Sequence, residues 1–130
     1  MLEIYFLSIE QVIQINADQT RLFGGLHGVR DLALLDSAVN RPKAQFHGEF
    51  LHKDIFVMAA AYAHGIIQNH PFIDGNKRTG SLTALVFLLR NGYFVHMTND
   101  ELVEMSVATA TSKISLQEIA TKLRKATSAN

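Results

Sequence analysis

The sequence predicts an all-α domain, a compact bundle of about six helices around a buried central one, with at most a minor pair of short strands. Three observations carry that expectation. Helix-opening residues recur along the chain, with Ser8, Asp31, Asp54, Thr98 and Ser115 each placed just before a run with apolar residues at helical spacing. The stretch Thr79–Arg90 is apolar on nearly every face, as a helix enclosed by others must be. With 130 residues, 48% hydrophobic and 18% charged, the chain can build one core but not two, so a single domain over 1–130 is expected.

The elements follow in order. Met1–Leu7 alternates poorly and reads as a short extended segment. Ser8 and Gln11 form a capping box for the first helix, with Val12, Ile13 and Ile15 behind it, and the helix is expected to end before Arg21. Gly24, Gly25 and Gly28 mark a loop. Asp31 caps a second helix carrying Leu32, Leu34, Leu35, Ala38 and Val39, which Pro42 stops. From Lys43 to Lys53 no period holds, and this mixed aromatic and polar loop suits a surface that meets a partner. Asp54 caps the third helix, where Ile55, Met58, Ala61, Tyr62 and Ile66 keep helical spacing and His64 reads as a structural residue. After the fourth helix, closed by Asn91 and Gly92, Tyr93–Met97 reads as a short strand beside the N-terminal segment. Capping boxes Thr98/Glu101 and Ser115/Glu118 open a fifth and a sixth helix, and the tail after Lys125 reads as frayed.

Composition excludes several classes of function. Twelve Lys and Arg balance twelve Asp and Glu, which disfavours a strongly basic nucleic-acid binder. The chain has no cysteine, hence no disulfide framework and no thiolate metal site. The best apolar window, Leu82–Leu89, is too short to span a bilayer, and no secretory leader is evident, so a cytoplasmic protein is expected.

Between the third and fourth helices lies the densest chemistry of the chain, His70–Gly80, HPFIDGNKRTG. Pro71 disfavours helix at His70, and Gly75 and Gly80 permit backbone that other residues resist, so the stretch is a turn between two buried helices. Gly75, Asn76, Lys77 and Arg78 then fall where the next helix begins. Unpaired N–H groups, the positive end of the helix dipole and two full charges make phosphate the natural guest there. Asp74 is a hard oxygen ligand suited to Mg²⁺, and His70, with a reference pKa of about 6.5, suits a general base. A salt-bridged helix start without chemistry would use similar residues. A transition-metal site on His70 and Asp74 would need a third ligand that the sequence does not place nearby.

The same eleven residues resemble the signature of the Fic/Doc family, H-P-F-x-[DE]-G-N-G-R, matching every fixed position except one, where Lys77 stands for the second-last glycine. The lysine form resembles the Doc (death on curing) branch, toxins of bacterial toxin–antitoxin pairs. The resemblance covers nearly the whole chain in weaker outer matches, RLFGG and the L-R-N-G closing the apolar helix among them. It implies that His70 deprotonates a target hydroxyl, Asp74 binds Mg²⁺, Asn76 and the amides of the turn hold phosphate, Arg78 pairs with another phosphate, and Phe72 anchors the loop from inside. It further implies ATP as co-substrate, elongation factor Tu as protein target and a cognate antitoxin over the active cleft.

Most Fic proteins transfer AMP, whereas Doc-like members are thought to bind ATP the other way round and transfer its γ-phosphate. Lys77 favours the second reading, because its side chain fills the room that a glycine leaves for an α-phosphate and adds a charge of its own. Ser81 stands where many AMP-transferring members carry a second arginine, and Leu82 replaces a Doc-like asparagine. AMP transfer, a non-catalytic adaptor of the same fold and a metal-dependent hydrolase are the alternatives. Many Fic proteins silence themselves through [ST]-x-x-x-E-[GN], but no Ser or Thr of these 130 residues has a Glu four positions on. Control by another chain is therefore expected, in a groove walled by Arg21–Gly28 and Lys43–Lys53.

Overall fold

The computed structural model describes residues 3–129, so Met1, Leu2 and Asn130 lie outside the described residues. The helices are α1 (Ile9–Phe23), α2 (Leu32–Asn40), α3 (Ile55–Asn69), α4 (Asn76–Arg90), α5 (Asn99–Ala110) and α6 (Leu116–Lys125). Each of the five expected caps accepts a backbone N–H of its helix: Ser8, Thr98 and Ser115 do so in reciprocal capping boxes, Asp31 from Leu34 and Asp54 from Phe56. Asp54 also pairs with Arg124 of α6, which ties the start of α3 to the last turn of the chain's final helix.

The bundle has two central helices rather than one. α4 packs on α1, α3 and α5, but α3 packs on α2, α4, α5 and α6 and is the more deeply enclosed. From Met58 to Ala63 no residue is more than 1% exposed. α4 is less uniform than its composition implies: Leu89 is exposed, while Thr79, Ser81 and Thr83 are buried. The two helices approach closely because Gly80 has no side chain, since a Cβ there would lie 2.7 Å from Cγ1 of Ile67. The backbone carbonyl oxygen of Ala63 on α3 would lie 3.1 Å from the same Cβ. Tyr62 closes the core at its upper end. Its hydroxyl accepts the Leu7 N–H at 2.9 Å, and burial pushes its pKa up to about 12.

Four sequence expectations are corrected: the end of α1, the partner of β3, the tail and the stretch Lys43–Lys53. α1 runs through Arg21, Leu22 and Phe23 instead of stopping before them, and ends at Gly24, whose φ of 90° suits a glycine. α4 starts at Asn76, as expected of the stretch Gly75–Arg78, and extends the apolar run Thr79–Arg90 by three residues, so the cationic residues form its first turn. The short strand β3 (Tyr93–Val95) pairs antiparallel with β4 (Thr127–Ala129), and not with the N-terminal segment, so the tail expected to fray is a strand to residue 129. The N-terminal segment is held instead by Asn91, which bonds both the N–H and the C=O of Tyr5. Finally, the aperiodic stretch Lys43–Lys53 contains a hairpin, β1 (Gln45–Phe46) and β2 (Glu49–Phe50), turned by His47 and Gly48 at φ 53° and 78°.

Candidate active site

The residues between α3 and α4 form a turn fixed from three sides. α3 ends at His70, which adopts the left-handed conformation (φ 50°), and α4 starts after Gly75, also left-handed (φ 78°). From inside, Phe72 is fully buried, and its N–H and C=O are both bonded by the Asn76 amide at 2.9 and 3.0 Å. From α1, the buried Asn16 donates to the Asp74 carbonyl at 2.8 Å and to the Thr79 hydroxyl at 3.1 Å. From the loop after α1, the Ile73 N–H reaches the Gly28 carbonyl at 3.0 Å, and Pro71 O accepts the N–H groups of Arg30 and Asp31. The Arg30 side chain adds bonds to the carbonyls of His70 and Asn69, a cation at the negative end of α3.

Beside this turn lies a cleft of about 400 Å³. His70, Asp74, Gly75, Asn76, Lys77 and Arg78 all line it, together with Gln19, Phe23, Gly24 and Gly25 from the α1 end. The His70, Asp74, Lys77 and Arg78 side chains are exposed, whereas Asn76 is buried. Asn76 has its amide bonded to Phe72 through both its oxygen and its nitrogen, so it shapes the turn. The rest of the lining is Ile73 of the turn, Ile67 of α3 and Ala110 of α5.

The electrostatics favour an anion. Among the described residues α4 is the one α-helix whose start has no side-chain cap, because Gly75 occupies the cap position. Its first-turn amides are therefore open, and the first intrahelical bond at this end is the Thr79 N–H to Gly75 O at 2.9 Å. Neither Lys77 nor Arg78 is in any of the described ion pairs, and the Arg78 guanidinium carbon instead lies 4.0 Å from the centre of the Phe23 ring.

Asp74 is the carboxylate of the cleft. One oxygen accepts the Leu26 N–H at 2.8 Å, and a Cβ on Gly25 would lie 3.0 Å from the Asp74 Cβ, so the loop approaches this closely because residue 25 is glycine. No group of three His, Cys, Asp or Glu that could hold a metal occurs among the described residues. The donor set thus does not make an all-protein cage. It does fit Mg²⁺, which is held by one or two carboxylates together with phosphate oxygens and water.

Asn16 and Arg30 went unnoticed in the sequence, and Phe23 entered only as part of RLFGG and the stretch Arg21–Gly28, with no role of its own. Of the first two, Asn16 alone left a trace there, as a polar residue four positions from both Val12 and Thr20 on the inward stripe of an amphipathic helix.

The chain matches the profile of the Fic/DOC family over residues 6–88. It is 34% identical over 119 residues to a relative named "Protein kinase doc" from Escherichia phage P1, covering 92% of this chain and 93% of that protein. "Toxin Doc" of Mycolicibacterium smegmatis is 44% identical over 70 residues, 54% of each chain. "Protein adenylyltransferase Fic" of Drosophila persimilis is 45% identical over 67 residues, 51% of this chain but 13% of the relative. With a family profile over more than half its residues and a relative matched along nearly its full length, the chain belongs to the Fic/DOC family.

Proposed function

We propose that this chain is a Doc-type toxin that transfers the γ-phosphate of ATP to a hydroxyl side chain of a protein, with elongation factor Tu as the target. The observation that carries this reading is the open start of α4, with Lys77 and Arg78 in no ion pair among the described residues and Asp74 and His70 on the same cleft. The relative that matches almost the whole chain is named a protein kinase, whereas the adenylyltransferase match covers 51% of the chain.

In this reading His70 takes the proton of the target hydroxyl as its oxygen bonds to the γ-phosphorus, and the bond from that phosphorus to the bridging oxygen breaks to release ADP. The first-turn amides of α4, Lys77 and Arg78 hold the phosphate oxygens as charge develops on them. Asp74 would hold Mg²⁺, which when bound supplies charge neutralisation between the phosphates. Asn76 and Phe72 act through the turn, keeping those donors aimed.

A cognate antitoxin is the partner that this arrangement requires. Without an internal glutamate motif, an acidic and apolar segment of another chain, helical once bound, covers the cleft. No helix among the described residues is long and apolar enough to cross a membrane, in keeping with action in the cytoplasm.

The test is incubation with Mg²⁺, a bacterial lysate and ATP labelled at either the α or the γ position. Label transferred from γ alone to elongation factor Tu is expected. Transfer from α would establish AMP transfer instead, and transfer from neither would leave a binding adaptor.

A further inference from the structure

Phe23 lines the cleft and has no part in the chemistry above. It is 57% exposed, so its ring is presented to the cleft and not to the core. It is the last residue of α1, three positions beyond Thr20, and so continues the stripe Val12, Asn16, Thr20 from the core out to the cleft mouth. The partner at that point is Arg78, with its guanidinium carbon 4.0 Å from the ring centre.

A cation over an aromatic face is attracted by the ring quadrupole, and a guanidinium can make that contact without using its N–H donors, which lie in its own plane. A carboxylate partner would do the reverse, since it would occupy the donors and cancel the charge. Among the described residues no acceptor is bonded to any Arg78 side-chain donor, as this arrangement requires. An exposed arginine left alone would have to lose its rotamer freedom when a phosphate arrives, and an arginine already held has less to lose.

We infer that Phe23 is a positioning residue for Arg78, its ring holding the guanidinium at the cleft mouth with the donors open to a phosphate group. This rests on the phosphate-binding part of the proposed function, and it assigns no step of the chemistry to Phe23 itself.

The test compares Phe23→Leu, which stays apolar but loses the quadrupole, with Phe23→Trp, which keeps it. Both are expected to fold, because the ring is largely exposed. The purified chain is titrated with tripolyphosphate, and KM for ATP is measured in the γ-phosphate assay. Phe23→Leu is expected to weaken tripolyphosphate binding and raise KM about two- to fivefold, the range of an exposed cation–π contact, while Phe23→Trp keeps wild-type values. The Arg78 Nε–H proton resonance, moved upfield by the ring in the wild type, should return to its ordinary position in Phe23→Leu.

Wild-type affinity in Phe23→Leu, an equal loss in both variants, or no tripolyphosphate binding by the wild type would each overturn the inference. The two readings can fail separately. A wild type that binds tripolyphosphate and loses affinity in Phe23→Leu, yet transfers no γ-phosphate, sinks the proposed function and leaves the role of Phe23 standing. Transfer that proceeds with unchanged KM and tripolyphosphate affinity in Phe23→Leu does the opposite.

Discussion

Two clefts of the molecule, each beside a helix start, differ in size and in chemistry, and the larger holds less of the chemistry. A cleft of about 610 Å³ lies between the segment after β3, α5 and α6, and its lining includes Glu101 and Glu104 as well as Lys122 and Lys125. The cleft of about 400 Å³ beside α4 carries Lys77, Arg78, Asp74 and His70. In the larger cleft the charges are mixed and the helix start is closed, since Thr98 and Glu101 cap α5 reciprocally. In the smaller one the helix start is open and its two cations have no described carboxylate partner. Volume does not distinguish a site here. Donors left unsatisfied and charge left unbalanced do, because both cost free energy that a structural role would have removed.

The largest expected effect is at His70. His70→Ala should lower phosphate transfer at least about a hundredfold and release growth arrest, as loss of a general base does. The fold should survive, because the side chain is exposed. Its backbone is left-handed, so His70→Asn, a residue that tolerates that conformation, serves as a second variant. A folded variant of either kind that still arrests growth and transfers phosphate at the wild-type rate would remove His70 from the reaction.

Next is Asn16, which joins the small cleft to the core. Asn16→Ala leaves the Asp74 carbonyl and the Thr79 hydroxyl without this donor, at a cost of about 1–3 kcal/mol in denaturant unfolding. Transfer should also fall, roughly ten- to a hundredfold, as the turn shifts relative to α4. Lower stability with unchanged kcat would confine Asn16 to the core.

How much of this the sequence disclosed depends on the range of each interaction. The five caps and the turn were legible because every signal lies within a few residues of its effect, Ser8 with Gln11 or Thr98 with Glu101. The tail was misread because Thr127–Ala129 is polar and short, and what makes it a strand is Tyr93–Val95, more than thirty positions earlier. The end of α1 escapes the sequence for a related reason: Arg21, Leu22 and Phe23 stand beside glycines and read as loop, though Phe23 is held by its contact with Arg78 of α4. Within the site, the residue types at 70, 74, 77 and 78 were readable from their chemistry. Which way Asn76 points was not, because a buried amide and a ligand-binding amide look the same in sequence.

Lys77 separates the two possible transfers, with a smaller expected effect. Lys77→Gly bares the backbone at the first turn of α4 and should slow γ-phosphate transfer while a trace of AMP adduct appears. The trace should stay weak, because Ser81, where a second arginine would stand, is buried against Ser106 of α5 and offers the cleft no charge. Mass spectrometry of the modified target distinguishes phosphate from nucleotidyl adduct. Phosphorylation at the full wild-type rate would mean that Lys77 does not set the orientation of the nucleotide.

The smallest expected effect tests the large cleft. Hydrogen bonds from the backbone and side chain of Thr98 hold the Glu101 carboxyl below its ordinary pKa, so this acid serves the α5 start and does not wait for a ligand. The sign follows from proton binding: below the ordinary carboxylate range the unfolded chain takes up a proton that the folded chain still resists. The contribution of Glu101 is therefore fully present above its unfolded pKa and is lost as pH falls through the folded one. Glu101→Gln should leave γ-phosphate transfer and ATP affinity at wild-type values at neutral pH, and flatten the decline of melting temperature with acid. The readout is melting temperature against pH for both proteins, beside the transfer assay. A drop in transfer with unchanged acid sensitivity would reverse the comparison and make the larger cleft part of the reaction.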